Sequence, residues 1–286
     1  YNPGGTLSGP IVKNKLFFFS AYEYDKIQED TIIDVYVPVT NGSRFQLPAP
    51  NTSATPVLSN TGANAILVAP YIQAVDTPSN KHIFSTRVDW NLNNAHSFTF
   101  GYQLGRSNDL RQYSGTNRLA DSLIGRVRNT DGFNATHNFV ASANTVNQFR
   151  FQYSRLRPSA TPNSGADSPV ILVTFTPPGE NSSTQIYSAS TSGSSDRKED
   201  RLQFQDTLTH IVGTHSLRFG GDYQRVKTTF IDRFDVTGTY RFSNFFFFNQ
   251  NSVTSYQQNF NSESQVENDY LGLFVQDEWR VRPNLT

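Results

Sequence analysis

The chain of 286 residues contains no cysteine, no methionine and only two tryptophans. The absence of cysteine excludes disulfide bonds, thiolate zinc sites and a cysteine nucleophile. Long apolar runs are absent too, since no stretch approaches the roughly 18 consecutive apolar residues of a membrane-spanning helix. With a mean hydropathy of −0.50, the sequence excludes a helical membrane protein. It does not exclude a membrane barrel, in which only alternate strand residues meet lipid.

A charge excess and a catalytic signature are also lacking. The 24 basic residues balance 24 acidic ones, so no bulk field attracts nucleic acid. No phosphate-binding loop, dinucleotide fingerprint, nucleophile elbow or His-Glu-x-x-His motif occurs. His210 and His215 flank one predicted turn, which is only a weak metal signal. The sequence predicts no enzyme, cofactor, metal site or nucleic-acid partner. Glu23 and Asp25 leave open a minor alternative, an outer-membrane protease or lipase that pairs acidic groups with histidine.

Aromatic residues are abundant, with 23 Phe and 13 Tyr, and many lie in segments of alternating polarity. These segments predict nine strands. The predicted strands are 4–12, 15–28, 81–92, 96–107, 131–143, 146–157, 200–211, 215–228 and 268–281. The joins alternate between tight turns (13–14, 93–95, 144–145 and 212–214) and long excursions (29–80, 108–130, 158–199 and 229–267). An up-and-down sheet with this rhythm has all its tight turns at one end.

The predicted fold class is therefore all-β, an antiparallel up-and-down transmembrane β-barrel. Its tight turns, including 282–284, are expected in the periplasm and its long excursions outside the cell. The sequence near 281–286 resembles a turn that enters a strand that does not follow. We therefore expect about nine strands of a larger barrel. The same alternating pattern leaves one alternative open, a soluble β-sandwich with one solvated face.

The two faces of the predicted strands differ in chemistry. On 96–107, Phe98, Phe100, Tyr102 and Leu104 alternate with small polar residues. Charged residues occupy the polar positions of the other strands, and we expect them to line the lumen and contact a plug. These residues are Arg87, Asp89, Arg150, Arg218 and Asp222.

The tryptophans give a second, independent clue to a membrane. Trp90 and Trp279 each lie three residues before a predicted tight turn, on the apolar face. Both are expected at one membrane interface, as members of an aromatic girdle. Asp206 and His137 also fall on apolar positions. A β-bulge or a position near the rim would explain each of them.

The long excursions have biased compositions. Residues 40–80 and 158–195 are rich in Asn, Ser, Thr, Pro and Gly, which favours solvated loops that cannot fill a core. Within the last excursion, Phe245, Phe246, Phe247 and Phe248 form an apolar cluster. The cluster is expected to pack loops together; contact with a hydrophobic ligand is the alternative.

Two segments also resemble a known family. Gly4-Gly5-Thr6-Leu7-Ser8-Gly9-Pro10-Ile11, followed by Lys15-Leu16-Phe17-Phe18-Phe19, resembles the entry into the barrel of Oar-like TonB-dependent outer-membrane transporters. Phe274-Val275-Gln276-Asp277-Glu278-Trp279 with Pro283-Asn284-Leu285-Thr286 resembles a strand and periplasmic turn of the same barrels. The resemblance implies a barrel of 22 strands around an N-terminal plug, energised by the TonB complex. Residues 1–286 would be part of that barrel domain, with the plug upstream and further strands downstream.

The resemblance implies uptake of a scarce solute, such as a siderophore, oligosaccharide or peptide, across the outer membrane of a Gram-negative bacterium. The implied partners are outer-membrane lipid, the protein's own plug domain, the TonB complex acting through that plug, and an unidentified extracellular ligand. The alternative is a structural or adhesive outer-membrane surface protein without active import.

Overall fold

The computed structural model describes residues 1–111, 117–165, 167–177, 179, 184–187, 195–260 and 262–282. Strands dominate these residues. The first eight strands are β1 Gly4–Val12, β2 Leu16–Ile27, β3 Asp30–Pro38, β4 Val57–Leu58, β5 Leu67–Asp76, β6 Ser79–Asn91, β7 His96–Arg111 and β8 Ile124–Ser142. The remaining strands and the α-helix are β9 Thr145–Pro162, β10 Val170–Phe175, β11 Thr184–Tyr187, β12 Ser195–Val212, β13 His215–Asp232, β14 Thr239–Phe242, helix α1 Phe245–Asn249, β15 Ser255–Gln257 and β16 Ser262–Trp279. Two short 3-10 helices, Gly62–Asn64 and Ala120–Ser122, lie in the first two excursions. Within the described ranges, no helix has the length and apolar character needed to cross a membrane.

Nine long strands form one antiparallel sheet, which we call the wall. Its order is β1-β2-β6-β7-β8-β9-β12-β13-β16, so each strand pairs with its neighbours in the chain once the short strands of the excursions are set aside. The predicted all-β, up-and-down sheet of nine strands is confirmed. The wall is not closed, since β1 and β16 are its two edges and do not pair with each other.

The wall strands extend further toward the long excursions than the sequence predicts. β7 continues to Arg111, and β8 begins at Ile124, although the sequence predicts an end at 107 and a start at 131. Both faces of these extensions carry polar residues, such as Arg128 on one face and Asn129 on the other. The hydrogen-bonded ladder therefore continues after the amphipathic pattern ends.

The tight turns depend on local backbone chemistry. Asn14 and Gly213 adopt positive φ of 62° and 60° in two of them, a conformation that asparagine and glycine tolerate best. In a third turn, the Asn93 side chain accepts hydrogen bonds from the backbone amides of Ala95 and His96, both at 2.9 Å. These contacts explain why the turns stay short.

The strand register keeps the two faces separate across the wall. Phe98 pairs with His137, which pairs with Phe149, and Phe149 pairs with Asp206. The β8–β9 pairing has a register shift between Val140 and Ser142, but the pairs at His137 and at Asp206 are regular in the described strands. The expected β-bulge is therefore not the explanation for either residue. Both stay on the apolar face.

Each of these two residues instead has a polar neighbour on that face. The Asp206 carboxylate accepts a hydrogen bond of 2.5 Å from the Asn147 side chain. His137 Nε2 lies 3.0 Å from His96 Nδ1, and its ring stacks on Phe98 at 4.4 Å between centroids. A paired polar group costs less on an apolar face than an unpaired one.

A row of tyrosines crosses the apolar face of the wall. Each lies on a strand that leads to a long excursion and donates its hydroxyl hydrogen bond to Asp or Asn on the strand that follows the excursion. The four pairs are Tyr24 with Asn80 (2.9 Å), Tyr102 with Asp131 (2.8 Å), Tyr153 with Asp200 (2.9 Å) and Tyr223 with Asp269 (2.6 Å). We call this row the tyrosine line.

The tyrosine line slants relative to the hydrogen-bonded rows of the sheet. The row shared by Tyr102 and Tyr153 crosses β2 at Ser20 and β13 at Arg225. Tyr24 lies four residues from Ser20 toward the excursions, and Tyr223 lies two residues from Arg225 toward the tight turns. The drift is therefore one residue per strand over the six steps from β2 to β13. That drift corresponds to a strand tilt of about 35°, as expected of a barrel wall.

The tryptophans follow a parallel line nearer the tight turns. The row that contains Trp90 reaches Leu273 on β16, six strands away, and Trp279 lies six residues beyond it. The row of Tyr24 meets β6 at His82, and that of Tyr223 meets β16 at Leu271. His82 is eight residues from Trp90 on β6, and Leu271 is eight residues from Trp279 on β16. Eight residues span ~26 Å along a strand, close to the height of a barrel's apolar band.

The four long excursions fold together at one end of the wall into a unit that we call the cap. It contains a three-stranded sheet β3-β5-β4 and a four-stranded sheet β11-β10-β14-β15, in which β10 and β14 are parallel. The prediction that 40–80 and 158–195 cannot fill a core is wrong. Apolar residues scattered among their polar neighbours, including Val68, Ile171 and Val173, are buried in one shared cluster.

Gly220 on β13 provides a test of how closely the wall strands pack. A Cβ at Gly220 would lie 2.2 Å from the Phe274 ring and 2.9 Å from the Asp206 backbone oxygen, whereas one at Gly132 would meet nothing within 4 Å. We expect Gly220→Ala to destabilise the wall by ~1–3 kcal/mol because overpacking displaces neighbours. Gly132→Ala is the matched control. Urea unfolding in detergent micelles measures both, and equal midpoints would contradict the prediction.

Candidate functional site

The polar face of the wall carries its charged residues in small, separate groups. Near the tight turns, the Arg87 guanidinium donates two hydrogen bonds of 2.9 and 2.8 Å to Asp89, which also accepts one of 2.8 Å from Thr99. The Arg87 side chain remains 59% exposed. This group presents a cation with part of its donor capacity still available to a partner.

The other predicted polar-face residues lie at least three strands away. Arg150, Gln205 and Asp222 occupy one hydrogen-bonded row. Arg150 donates to Gln205 at 3.3 Å, and Gln203 donates to Asp222 at 2.6 Å. Arg218 lies four residues from Asp222 on the same strand. The structure thus places Arg150 and Asp222 on one row, with Arg218 further toward the tight turns on β13, and leaves Arg87 and Asp89 apart.

A concave region of about 1110 Å³ lies at the cap end of the wall. Its lining extends from β2 to β13, across seven strands. One cavity can be lined by so many strands only if the sheet curves around it. The polar face is therefore the inner, concave face at this end.

This cavity, which we call the mouth cavity, mixes both charges. Its lining includes Lys81, Arg126, Arg128 and Arg197, with Asp25 and Asp232. Lys81 lies opposite Asp25 in the register, whereas Arg128 lies opposite Ser107 and Pro158. Such a surface can bind a polar or charged solute through several hydrogen bonds.

The site residues predicted from the sequence do not include these residues. The sequence predicts later starts for β8 and β12, which leaves Arg126, Arg128 and Arg197 in the excursions. The alternation Arg126-Val127-Arg128 was a usable signal that β8 begins earlier. No signal in the sequence showed that the sheet curves enough to bring β2 and β13 around one cavity.

The Phe cluster predicted in the last excursion lies in the cap. Asn244 begins helix α1 by accepting a hydrogen bond from the Phe247 amide at 3.1 Å. Within this one turn, Phe245 and Phe248 are fully buried, whereas Phe246 and Phe247 are half-buried. The cluster therefore packs two of its rings into the shared core.

Buried residues from all four excursions make up this core. Ile33 and Val37 come from the first, Leu119 from the second, Ile171 from the third and Phe248 from the fourth. Burying side chains of this kind stabilises a unit by roughly 1.5–3 kcal/mol each. The cap is therefore a packed body and not a set of independent loops.

Two asparagines connect the first excursion to the fourth. The Asn249 side chain donates to the Thr40 carbonyl at 2.8 Å and accepts from the Gly42 amide at 3.2 Å. The Asn251 side chain accepts from the Arg44 amide at 2.8 Å. Asn251 has a positive φ of 55°, which asparagine tolerates better than most residues. These contacts fix segment 40–44 against the end of α1.

The predicted weak metal signal does not become a site in the described ranges. His210 contacts Thr145 at 2.9 Å, and His215 contacts Asp277 at 2.7 Å and stacks on Trp279. Within those ranges, no group of three or more His, Asp or Glu residues is arranged to hold a metal ion. The two histidines contact different strands.

A tilted, up-and-down wall with one apolar face, two aromatic lines and a cap on its long excursions defines the class of outer-membrane β-barrels. The chain belongs to the outer membrane beta barrel domain family, whose model matches residues 43–286. It is therefore an outer-membrane protein of a Gram-negative bacterium. A comparison with curated proteins finds no match.

A solved structure shows the same fold. The chain is similar to the outer membrane transporter YddB from Escherichia coli, with a TM-score of 0.59 and 9% identity over 98% of this chain and 32% of that one. The siderophore receptor PiuA from Acinetobacter baumannii aligns with a TM-score of 0.41 and 9% identity, over 99% of this chain and 43% of that one. The chain spans about a third of the length of YddB.

Phe248→Ala tests whether the cap is one packed body. We expect ~3–5 kcal/mol lower cap stability because the variant leaves a cavity in the shared core. Hydrogen exchange should then accelerate in residues 30–76 and 239–257 together, with the wall unaffected. Phe246→Ala, which truncates a half-buried ring of the same helix, is the control. Faster exchange confined to 239–257 would contradict a shared core.

Proposed function

We propose that this chain forms part of the wall of a TonB-dependent transporter that takes up a scarce solute from outside the cell. The observation that carries the proposal is the polar, concave face that ends in the mouth cavity, at the same end of the wall as the four joined excursions. A transporter needs such a face toward its pathway and an apolar face toward lipid. The fold similarity to an outer membrane transporter supports this reading.

In this proposal, the polar face is the lumen wall. Arg87, Asp89, Arg150, Arg218 and Asp222 would contact the protein's own plug domain, since isolated charged groups with spare donors and acceptors need polar partners. Trp90 and Trp279 would lie in the periplasmic interface girdle. The Phe245, Phe246, Phe247 and Phe248 cluster would hold the extracellular loops together.

The two open edges support the proposal that residues 1–286 are one part of a larger barrel domain. Edge strands expose unpaired amide and carbonyl groups, which cannot face hydrocarbon without a large cost. Further strands would complete the wall. A plug inside it, connected to the TonB complex, would supply the movement that opens a path.

The chemistry proposed is binding and passage, with no catalysis by this chain. The solute, a siderophore, oligosaccharide or peptide, would first meet the cap and then the mouth cavity. Lys81 and Arg128 supply cations there, and Asp232 supplies an acceptor. A structural or adhesive role without import is the second candidate, and one observation favours it. The packed cap exposes large apolar side chains such as Phe260, which is 92% exposed.

The assignment of the two faces can be tested with single cysteines, because the chain has none of its own. Cysteine at Arg87, Arg150 or Arg218 should react with a small water-soluble maleimide and be shielded from a lipid-dissolved reagent. Cysteine at Phe100 should show the reverse pattern. The measurement is the labelled fraction in intact outer membranes, and equal lipid exposure of both sets would refute the lumen assignment.

Import can be separated from adhesion by removing the energy source. Uptake by a TonB-dependent transporter should stop when the TonB complex is deleted or the proton gradient is collapsed, while solute binding at the cell surface persists. Candidate solutes can be screened by accumulation in cells that express the full-length protein. The adhesive candidate would be favoured if cells that lack this protein lose surface attachment and if cells that express it show no TonB-dependent accumulation of any solute.

A further inference from the structure

Two neighbouring hydrogen-bonded rows on the polar face of the wall line the mouth cavity. The first row is Asp25, Lys81, Ser107, Arg128 and Pro158, continued on β12 and β13 by Arg197 and Phe230, which lie opposite each other. The second row, two residues nearer the excursions, is Ile27, Ser79, Asp109, Arg126, Ala160, Ser195 and Asp232. All of these residues line the cavity, so the two rows together define its chemistry.

The charges of this lining balance. On the polar face, its cations are Lys81, Arg126, Arg128 and Arg197, and its acids are Asp25, Asp109 and Asp232. Glu199, which forms an ion pair with Arg197, adds a fourth carboxylate. Arg106 also lines the cavity, but its guanidinium pairs with Asp131 on the apolar face. With four charges of each sign, the lining does not select a solute by net charge.

Three of the four cations have a carboxylate beside them. The pairs are Lys81 with Asp25, Arg126 with Asp109 and Arg197 with Glu199. The two remaining charges, Arg128 and Asp232, have uncharged residues opposite them. Arg128 is exposed and lies between Ser107 and Pro158 in the register, and Asp232 lies between two serines, on β12 and β16. One cation and one carboxylate are therefore left for a solute that carries both charges.

Apolar side chains lie between and beside these two charges. Pro158 and Ala160 are on β9, and Phe230 is two residues from Asp232 on β13. The Phe234 amide donates a hydrogen bond of 2.9 Å to the Asp232 carboxylate, and the side chains of Phe230 and Phe234 are each 39% exposed. Exposed phenyl rings in a cavity gain free energy when an apolar group covers them. The site thus has a charge at each end and an apolar surface between.

The spacing of the two charges gives the length of the solute. Three steps from strand to strand separate β8 from β13, which is ~14 Å along the sheet. An extended peptide of about four residues has the same length, at ~3.3 Å per residue. Its ends are a carboxylate and an ammonium group. A cavity of about 1110 Å³ can hold a ligand of this size.

We propose that the mouth cavity binds a short zwitterionic peptide with apolar side chains. The peptide carboxylate pairs with Arg128, whose planar donors match it. The ammonium group pairs with Asp232, and the apolar side chains cover Pro158 and Phe230. This inference rests on the proposed uptake function and selects one of its candidate solutes. A net anionic chelate finds no net positive charge here, and an oligosaccharide finds no partners for its hydroxyls along the proline and phenyl surface.

The test measures peptide binding to the full-length protein in detergent by isothermal titration calorimetry. The probe is the tetrapeptide Ala-Leu-Leu-Ala, compared with its C-terminal amide and its N-acetylated form. Each modification removes one charge-assisted contact, so each should weaken binding about tenfold to hundredfold. Ala-Ser-Ser-Ala keeps both charges but cannot cover the phenyl rings, and it should bind about tenfold more weakly.

Substitutions in the protein identify which side chain meets which end of the peptide. Arg128→Gln should weaken binding of the unmodified peptide by the same factor as amidation and leave binding of the amide unchanged. Asp232→Asn should act in the same way toward the N-acetylated peptide. A misfolded variant would instead bind every peptide more weakly. Arg155→Gln, which removes an arginine from the apolar face, is the matched control and should bind all the peptides normally.

The proposal would be overturned by equal affinities for the unmodified, amidated and acetylated peptides, or by no binding of Ala-Leu-Leu-Ala to the unaltered protein. An equal loss in Arg155→Gln and Arg128→Gln would overturn it as well. If another solute accumulates in a TonB-dependent manner while the peptide does not bind, only this inference fails. If the peptide binds as expected but no solute accumulates in that manner, the import function fails and the binding site stands.

Discussion

The hydrogen-bonding needs of the backbone govern this structure. A chain in hydrocarbon has no water for its amide and carbonyl groups, so each strand must pair along its whole length on both sides. The seven inner strands of the wall pair with a neighbour on each side in chain order, and registers run unbroken for as many as 18 residues. Three features follow from this one requirement. The tight turns are short, with Asn14 and Gly213 at positive φ; the alternation of the two faces continues without interruption through His137; and further strands are proposed to pair with both edges.

The tilt of these strands decides where each aromatic residue must appear in the sequence. In a tilted sheet, a line of constant height shifts by about one residue from each strand to the next. The tyrosines and tryptophans therefore occupy different hydrogen-bonded rows and still form two parallel lines. The charged groups obey the same geometry. On the concave face, Lys81, Arg128 and Asp232 line the mouth cavity. On the apolar face, Arg106, Arg157 and Asp200 lie at or beyond the tyrosines, whereas Asp206 lies nearer the tight turns and is paired with Asn147.

The sequence predicted the wall because local patterns determine it. Phe98 and Phe100 alternate with polar residues within one strand, and Asn93 forms its turn with its immediate neighbours. The cap could not be predicted in this way. Its central pairing joins Val170–Phe175 to Thr239–Phe242 in parallel. These two segments are far apart in the sequence, so no local pattern predicts that they pair. The candidate site was predicted in part, since parity placed Arg87, Arg150 and Arg218 on one face. The mouth cavity depends on sheet curvature and on strand ends whose polar residues hide the alternation.

The shared core of the cap has an evolutionary consequence. Surface loops usually diverge separately, each accepting insertions and substitutions without regard to the others. Here Ile33, Leu119, Ile171 and Phe248 come from four different excursions and fill one volume. A larger side chain in one excursion therefore requires a smaller one in another. Outer surfaces of this kind should change by coordinated sets of substitutions, so that new recognition properties arise from the whole assembly and not from the exchange of a single loop.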